Sequence, residues 1–365
     1  AELAVDTGAS SVSIQGQVIA RNLEPFCQLL GQMITEATLP EEELERLKRE
    51  TLAEILEGRD SDKHLVQRAF RRALFGKHPY GRDGAGTLTS VPTLTGSDVR
   101  AYLAEHRVRS NMVVGFAGDV TAEQAQRLTE RLLAGVPAGP APVDTIGEPA
   151  PVRGRRLVFV DKPERSQTQI LMGRLGTWGH DPDHVDLGVA TAIFGGTFTS
   201  RLMKEVRSKR GWSYGASARA AIDRRRHAFS LHTFPAATDA APCMALELAL
   251  WEAFAEQGVT AKEVAFMQKY LRRSHAFEVD TAGKRLHQAL DVDLLGLPAD
   301  YHTRYLERVA AVTAESASAA VKARVPPEDA LFVVVGTAKD ILPAVQRALP
   351  NLEETRVVPF DQEMP

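Results

Sequence analysis

The sequence predicts an α+β protein of two repeated domains. Each is a mainly antiparallel sheet with helices packed on one side, and the first lacks its N-terminal part. Three observations predict this. One stretch of sequence recurs at a constant offset, short apolar runs have the length and alternation of strands, and long amphipathic helices follow the strands in blocks.

The repeat comes first. Thr95 to Asp119 corresponds to Thr313 to Thr337; residues 95 and 313, like 118 and 336, lie 218 apart, so no gap intervenes. Each copy opens on a Thr followed within two or three residues by an acid, the signature of a helix N-cap. An amphipathic helix follows, then an apolar strand, Met112–Phe116 in one copy and Leu331–Val335 in the other, and then Gly118 or Gly336. Upstream, Glu43, Leu44 and Leu47 match Glu263, Val264 and Met267 at an offset of 220. Pro40 suits the first helical position and is followed by three glutamates that favour the positive helix end. Thr260 and Glu263 have capping-box spacing. Cys27 and Cys243, 216 apart, each sit in a helical apolar pattern and read as core residues of separate domains.

Pro137 to Arg155 is rich in Pro, Gly and Ala and reads as a linker. The domains are therefore placed at residues 1–140 and 156–365, with 141–155 between them. In the second, Arg156–Val160 is a short apolar strand, Gln167–Trp178 alternates, and Ala216–Phe234 reads as a hairpin turning near Asp223–Arg226. Arg224-Arg225-Arg226 reads as its solvated tip. Sixty residues separate Arg156 from Ala216, whereas the comparable Gly8-Ala9 has seven residues before it. The first domain is thus expected to lack its opening strands and first helix.

Composition narrows the function class. The 365 residues suffice for two ordinary domains, and 44% hydrophobic with 25% charged residues reads as a soluble globular chain. No apolar run reaches the roughly 20 residues of a membrane helix. A net charge of −3 gives no reason to expect nucleic acid. Two cysteines exclude a disulfide framework and a four-cysteine zinc site. The first residue is Ala and no secretory leader pattern follows, so the natural product is expected to begin upstream. The compartment is unknown, a bacterial-type cytoplasm or periplasm.

Four stretches carry a family resemblance: Leu74–Gly81 with Gly86-Thr87, Val113–Val120, Phe194–Leu202 running on to Glu205-Val206-Arg207, and Arg207–Tyr214. With the repeat, they make the chain resemble a half-unit of the pitrilysin-like (inverzincin) zinc metallopeptidases, the family of mitochondrial processing peptidase and insulin-degrading enzyme. The family's metal motif is His-x-x-Glu-His on a helix, where two imidazoles one turn apart hold zinc and the Glu activates water. None of the ten histidines here stands in that motif. Only His180 and His184 approach ligand spacing, and they flank Asp181-Pro182-Asp183, which reads as a loop before a helix. The resemblance places the family's third ligand, a Glu 24 residues before His78, at Glu54; seven residues earlier, where active members carry another Glu, stands Leu47. The metal ligands assigned to this chain are therefore none, and zinc is expected in a partner or in a missing N-terminal segment.

The resemblance implies a second functional feature, an Arg and a Tyr seven residues apart, which Arg207 and Tyr214 match. Thr197–Arg207 has a helical pattern, with Thr199 or Ser200 as N-cap and Arg201–Glu205 as an i,i+4 pair. Gly211 ends that helix and a strand follows from Trp212. Arg207 and Tyr214 are thereby expected at a common cleft. A guanidinium offers a rigid fork of donors to a peptide carbonyl or carboxylate, and a phenol can donate to the oxyanion formed when water attacks that carbonyl. The family also aligns extended peptide along a sheet edge; Gly195-Gly196 either lets backbones approach closely or marks a turn between helices.

Three functions follow as expectations. The first is a non-catalytic partner subunit that binds peptide, contributes Arg207 and Tyr214, and pairs with a zinc-bearing homologue or forms a homodimer. The second is an active zinc endopeptidase whose metal-binding segment lies outside this chain. The third is a structural scaffold without a peptidase role.

Overall fold

The computed structural model describes residues 1–8 and 10–362, so Ala9 of the Gly8-Ala9 comparison lies outside the described residues. The chain forms two compact units. Unit 1 comprises residues 1–56, 84–146 and 277–296; unit 2 comprises residues 57–83, 147–276 and 297–365. Both units are discontinuous in sequence and cut across the contiguous spans read above.

Unit 1 holds an antiparallel hairpin, β1 (Glu2–Thr7) and β2 (Val12–Gln17), and the helices Leu23–Thr35, Glu41–Glu57, Gly96–His106, Ala122–Leu132 and Ala282–Leu295. Thr95 and Asp98 form a reciprocal capping box, and Thr121 with Gln124 forms another. Cys27 is buried on the first of these helices. Met112–Phe116 is not a strand, contrary to the expectation. An apolar segment becomes a strand only where a neighbour takes up its N–H and C=O groups. Among the described residues of this unit the hairpin strands pair only with each other.

Unit 2 is built on a six-stranded sheet. Its strands are β3 (Arg155–Asp161), β4 (Gln169–Leu175), β5 (Ala216–Ala220), β6 (Ala228–Thr233), β7 (Leu331–Gly336) and β8 (Leu352–Pro359), in the order β5-β6-β4-β7-β3-β8. The pairings β5·β6, β6·β4 and β4·β7 are antiparallel, and β7·β3 and β3·β8 are parallel. β7 explains its own sequence: a run of Leu, Phe and three Val, all buried, belongs to a central strand covered on both faces. Phe332 and Val334 join Leu157, Phe159, Ile170 and Met172 in one core; Leu331, Val333 and Val335 join Val158, Val160 and Leu171 in the other.

Helices therefore cover both faces, where one face was expected. The larger core packs the helices Ala240–Gln257 and Ala314–Arg324 against the sheet, with Phe194 stacked on Phe254 at 4.3 Å and Trp251 Nε1 donating to the Val325 carbonyl at 2.8 Å. The opposite face takes the helix Asp62–Phe75 through Leu65, Val66, Phe70 and Leu74. Lys162 anchors the start of that helix. Its buried ammonium donates to the carbonyls of Arg59 and Asp60 and, at 2.7 Å, to Asp62.

The turn after the helix has a structural task as well. Tyr80 donates its hydroxyl to Asp223 at 2.8 Å and accepts from the Arg225 amide, and burial first, then Asp223, raises its pKa. Arg226 reaches Asp181 through two bonds of 2.6 and 3.1 Å. The arginine run at the β5–β6 turn is thus tied down on both sides and is not the solvated tip expected from its composition.

Candidate functional site

The helix His184–Thr191 continues as a π-helical turn, Ala192–Gly196, and a second π-helical stretch covers Met203–Ser208. Leu202, Met203 and Val206 point into the core. A single π turn shifts the register of side chains around a helix and is frequent at functional sites. Here it leaves Arg207 facing outward beside the inward Val206. Gly195 makes the packing possible: a Cβ there would stand 2.3 Å from the Ala218 amide nitrogen of β5. The close approach is thus between this helical segment and its own sheet.

The chain leaves the helix through Gly211 in the left-handed region, φ 68°, with its amide bonded to the Arg207 carbonyl and the Trp212 amide bonded to the Val206 carbonyl. The strand starts at Ala216, later than the expected Trp212. Ser213 explains the delay. Its buried hydroxyl donates to the Gly215 carbonyl at 2.7 Å and accepts from the amides of Gly215 and Phe234, so local bonds replace a ladder. Tyr214 sits on this bend, 87% exposed, and its hydroxyl has no partner among the described residues.

The charges around Arg207 are nearly all spoken for. Arg201 does not pair with Glu205 but makes a bidentate contact with Glu263, at 2.8 and 2.7 Å. These bonds first, against burial, hold the Glu263 carboxyl down at about 2. Glu205 instead receives Lys209 at 2.6 Å and Arg210 at 2.8 Å, and those two hydrogen bonds lower its pKa. The Arg207 side chain has neither ion pair nor hydrogen bond among the described residues; its guanidinium lies 4.5 Å from the ring centre of Phe198, itself 69% exposed. Such cation–π stacking fixes the plane of a guanidinium while leaving its N–H edge open. Sequence reasoning did not single out Phe198. Its signal is an aromatic residue placed among small polar ones, Thr197-Phe198-Thr199-Ser200.

Arg207 and Tyr214 therefore lie on either side of one glycine turn, each with unused donors. Within this unit their surface is open, where a cleft was expected; the cavity of about 120 Å³ lies at the far edge of the sheet, on β3 and β8. Two residues beyond Tyr214 begins β5, an edge strand that pairs only with β6. Its outer side is covered by the helical segment: the Ala216 amide donates to the Met203 sulfur at 3.3 Å, and Gly195 lies against the Ala218 amide. Ala216 and Ala218 face inward, and Ser217 and Arg219 are exposed.

The other candidates resolve differently. His184 is buried, with Nε2 2.8 Å from the Tyr301 hydroxyl, and burial lowers its pKa. His180 lies against Trp178, ring centres 4.7 Å apart and tilted by 42°. Asp181 between them holds Arg226, Arg324 and Thr177; burial pushes its carboxyl up, but these partners outweigh that and bring it below the usual range. Glu54 is exposed on its helix. Among the described residues no three His, Cys, Asp or Glu side chains come together as metal ligands, so the donor set does not fit a zinc ion. Among them, too, no helix is long and apolar enough to cross a membrane.

Residues 93–271 match the family described as the peptidase M16 inactive domain. The chain is 22% identical over 338 residues to a protein of Helicobacter pylori called non-peptidase homolog YmxG, covering 92% of this chain and 78% of that one. It is 28% identical over 220 residues to an uncharacterized zinc protease of Mycobacterium leprae, covering 58% of this chain and 48% of the relative, so it spans about half of that protein's length. The crystal structure of a peptidase M16 inactive domain from Pseudomonas fluorescens superposes with a TM-score of 0.85 at 23% identity, over 92% of this chain and 81% of that one. Residues 93–271 are thus a segment of the peptidase M16 inactive-domain type, and over most of its length the chain is similar to proteins of that kind.

Proposed function

We propose that this chain is the substrate-holding, non-catalytic partner of a zinc-bearing homologue. One observation carries the reading: Arg207 and Tyr214 keep unspent donors on the surface, while the neighbouring Arg201, Lys209 and Arg210 are paired with carboxylates. An extended peptide is held along a sheet edge through main-chain hydrogen bonds. The Arg207 fork grips a peptide carbonyl or carboxylate, and the Tyr214 phenol donates to the oxyanion that forms when the partner's water attacks. The name of the Helicobacter pylori relative, a non-peptidase homolog, supports the absence of self-sufficient catalysis.

The experiment is co-purification from the native cell followed by peptide cleavage with the recovered complex. A homologue carrying His-x-x-Glu-His is expected in the complex. Tyr214→Phe should slow cleavage by about a hundredfold, the usual cost of losing an oxyanion donor. An unchanged rate overturns the role of Tyr214, and recovery of this chain alone favours a homodimer or a scaffold. A second reading, an intrinsically active endopeptidase, draws on the name of the Mycobacterium leprae relative, a zinc protease of which this chain spans about half. Metal analysis of the full natural gene product separates the two, since one zinc per chain supports the active enzyme.

A further inference from the structure

The helix Ala261–Glu278 presents two unlike faces. One is spent on the larger core: Val264 and Met267 are buried, Leu271 packs beside them, and Gln268 donates to the carbonyls of Val309, Ala310 and Val312 at 3.0, 3.1 and 2.9 Å. The other is exposed. A 3.6-residue period sets Lys262, Lys269 and Arg273 in one row along the axis, and Phe266 and Tyr270 in a second row beside it. Phe266 is 54% and Tyr270 45% exposed. The bidentate contact of Arg201 with Glu263 ties the first turn of this helix to the segment that carries Phe198 and Arg207.

The cations of the first row are uncompensated. Among the described residues the side chains of Lys262, Lys269 and Arg273 make no ion pair or hydrogen bond. Lys269 and Arg273 stand one turn apart, a like-charge spacing that destabilises a helix. Of the helix's two acids, Glu263 is held by Arg201, and Glu278 lies more than a turn beyond Arg273. An anionic ligand relieves this repulsion, and the two rows say which kind. An extended chain laid along the helix sends successive side chains to opposite sides. Where acidic and apolar residues alternate, the carboxylates reach the cation row and the apolar side chains reach the aromatic one. Lys262 to Arg273 spans about 16 Å, which an extended peptide covers in about five residues. A membrane surface fits less well, because it takes up a helix's apolar face, and that face is packed in the core here.

We propose that this face binds a stretch of extended peptide in which acidic and apolar side chains alternate, beyond the part held at Arg207. The proposal rests on the reading of the chain as a peptide holder and names the class of peptide. Fluorescence anisotropy on the full chain at low ionic strength tests it, with a labelled peptide of about eight residues alternating Glu and Leu, long enough to overrun the face. The same peptide with Lys for Glu, and vesicles of phosphatidylglycerol, form the other arms. Saturable binding of the Glu–Leu peptide is expected, and none of its Lys counterpart. Lys269→Gln combined with Arg273→Gln should weaken it about tenfold, the worth of two exposed ion pairs, and Phe266→Ser severalfold, with melting temperatures unchanged because all three positions are exposed. Absence of Glu–Leu binding overturns the proposal, as does equal binding of the Lys peptide. Vesicle binding that the double variant loses, without peptide binding, overturns it in favour of a membrane surface. Arg207→Gln separates the two readings. If that change alone abolishes binding while the helix variants bind as wild type does, the peptide-holding role stands and this face has no part in it. If the helix variants weaken binding while Tyr214→Phe leaves cleavage unchanged, this face stands and the oxyanion role falls.

Discussion

Glu247 offers the sharpest physical test of unit 2. It lies on the helix Ala240–Gln257, 1% exposed, inside the larger core. Its Oε2 accepts from the Thr233 hydroxyl at 3.1 Å, and its Oε1 has no partner among the described residues. The charged and titratable groups near this site are Cys243 one turn back, whose thiol is pushed up by burial and then by Glu247, and beyond it Asp239 and Arg210. Burial dominates and raises the Glu247 carboxyl from 4.5 to about 8, a rise the Thr233 bond only moderates. In the unfolded chain the carboxyl ionises near 4.5; in the folded protein it keeps its proton until about pH 8. Between these values the folded state binds more protons, so stability is lost as pH rises, by about 1.4 kcal/mol per unit.

From pH 5 to pH 8 the loss from this one group amounts to about 4 kcal/mol, a large share of a typical stability. Glu247→Gln and Glu247→Leu carry no such proton, so their stability relative to wild type should climb by that amount over the same interval. The absolute value at one pH is less telling, because an amide also leaves a buried polar group unmatched and costs about 1–3 kcal/mol. Urea denaturation at each pH, followed by tryptophan fluorescence, reads the slope. The three tryptophans, 178, 212 and 251, all belong to unit 2, so the signal reports that unit. Wild-type and variant curves that run parallel from pH 5 to 8 would refute the buried, proton-holding carboxyl.

Other consequences follow from the same unit. Lys162→Met strips the carbonyls of Arg59 and Asp60 and the carboxylate of Asp62 of their shared donor, and should cost about 3 kcal/mol in the same fluorescence assay. Gly195→Ala drives a methyl into the β5 backbone and should cost about 2 kcal/mol, with altered near-ultraviolet dichroism as the helix moves off the strand. Burial lowers the pKa of His184, His227 and His232, so each stays neutral in the folded protein when the unfolded chain takes up a proton near 6.5. Stability from these groups is full above pH 6.5 and falls as the pH drops below it; His184→Gln should shallow that acid limb in a melting series from pH 7 to 5.

What was legible in the sequence is what local pattern determines. The runs that became β3, β4 and β7 show themselves as β-branched and apolar, the β5–β6 hairpin brackets its turn, and the Thr260–Glu263 capping box forms as spaced, with reciprocal bonds of 2.9 and 3.3 Å. Illegible features depend on partners distant in sequence. β8 reads Leu-Glu-Glu-Thr-Arg-Val-Val-Pro; as an edge strand it needs little apolar content and gives little signal. Met112–Phe116 shows the converse, an apolar run without a described neighbour to make it a strand. Arg201 has a Glu at the helical i+4 spacing, yet its bidentate partner is 62 residues away. The π-helical backbone around Met203–Ser208 breaks the four-residue geometry on which the nearer pairing relied.

That break bears on the functional surface. Had Arg201 taken Glu205, Lys209 and Arg210 would have lost their acceptor, and a cluster of unpaired cations would surround Arg207. A peptide carboxylate would then find several competing guanidinium and ammonium groups in place of one. With Glu263 serving Arg201 and Glu205 serving Lys209 and Arg210, a single guanidinium remains uncommitted, held flat by Phe198. Selective neutralisation of the neighbours, more than the charge of Arg207 itself, makes that residue a defined docking point. Glu205→Gln should therefore loosen the specificity of peptide binding without abolishing it: acidic and neutral peptides would bind at more similar strength at high salt and acidic ones would gain at low salt. An acidic peptide whose affinity is the same for both proteins at low salt would count against this account of the surface.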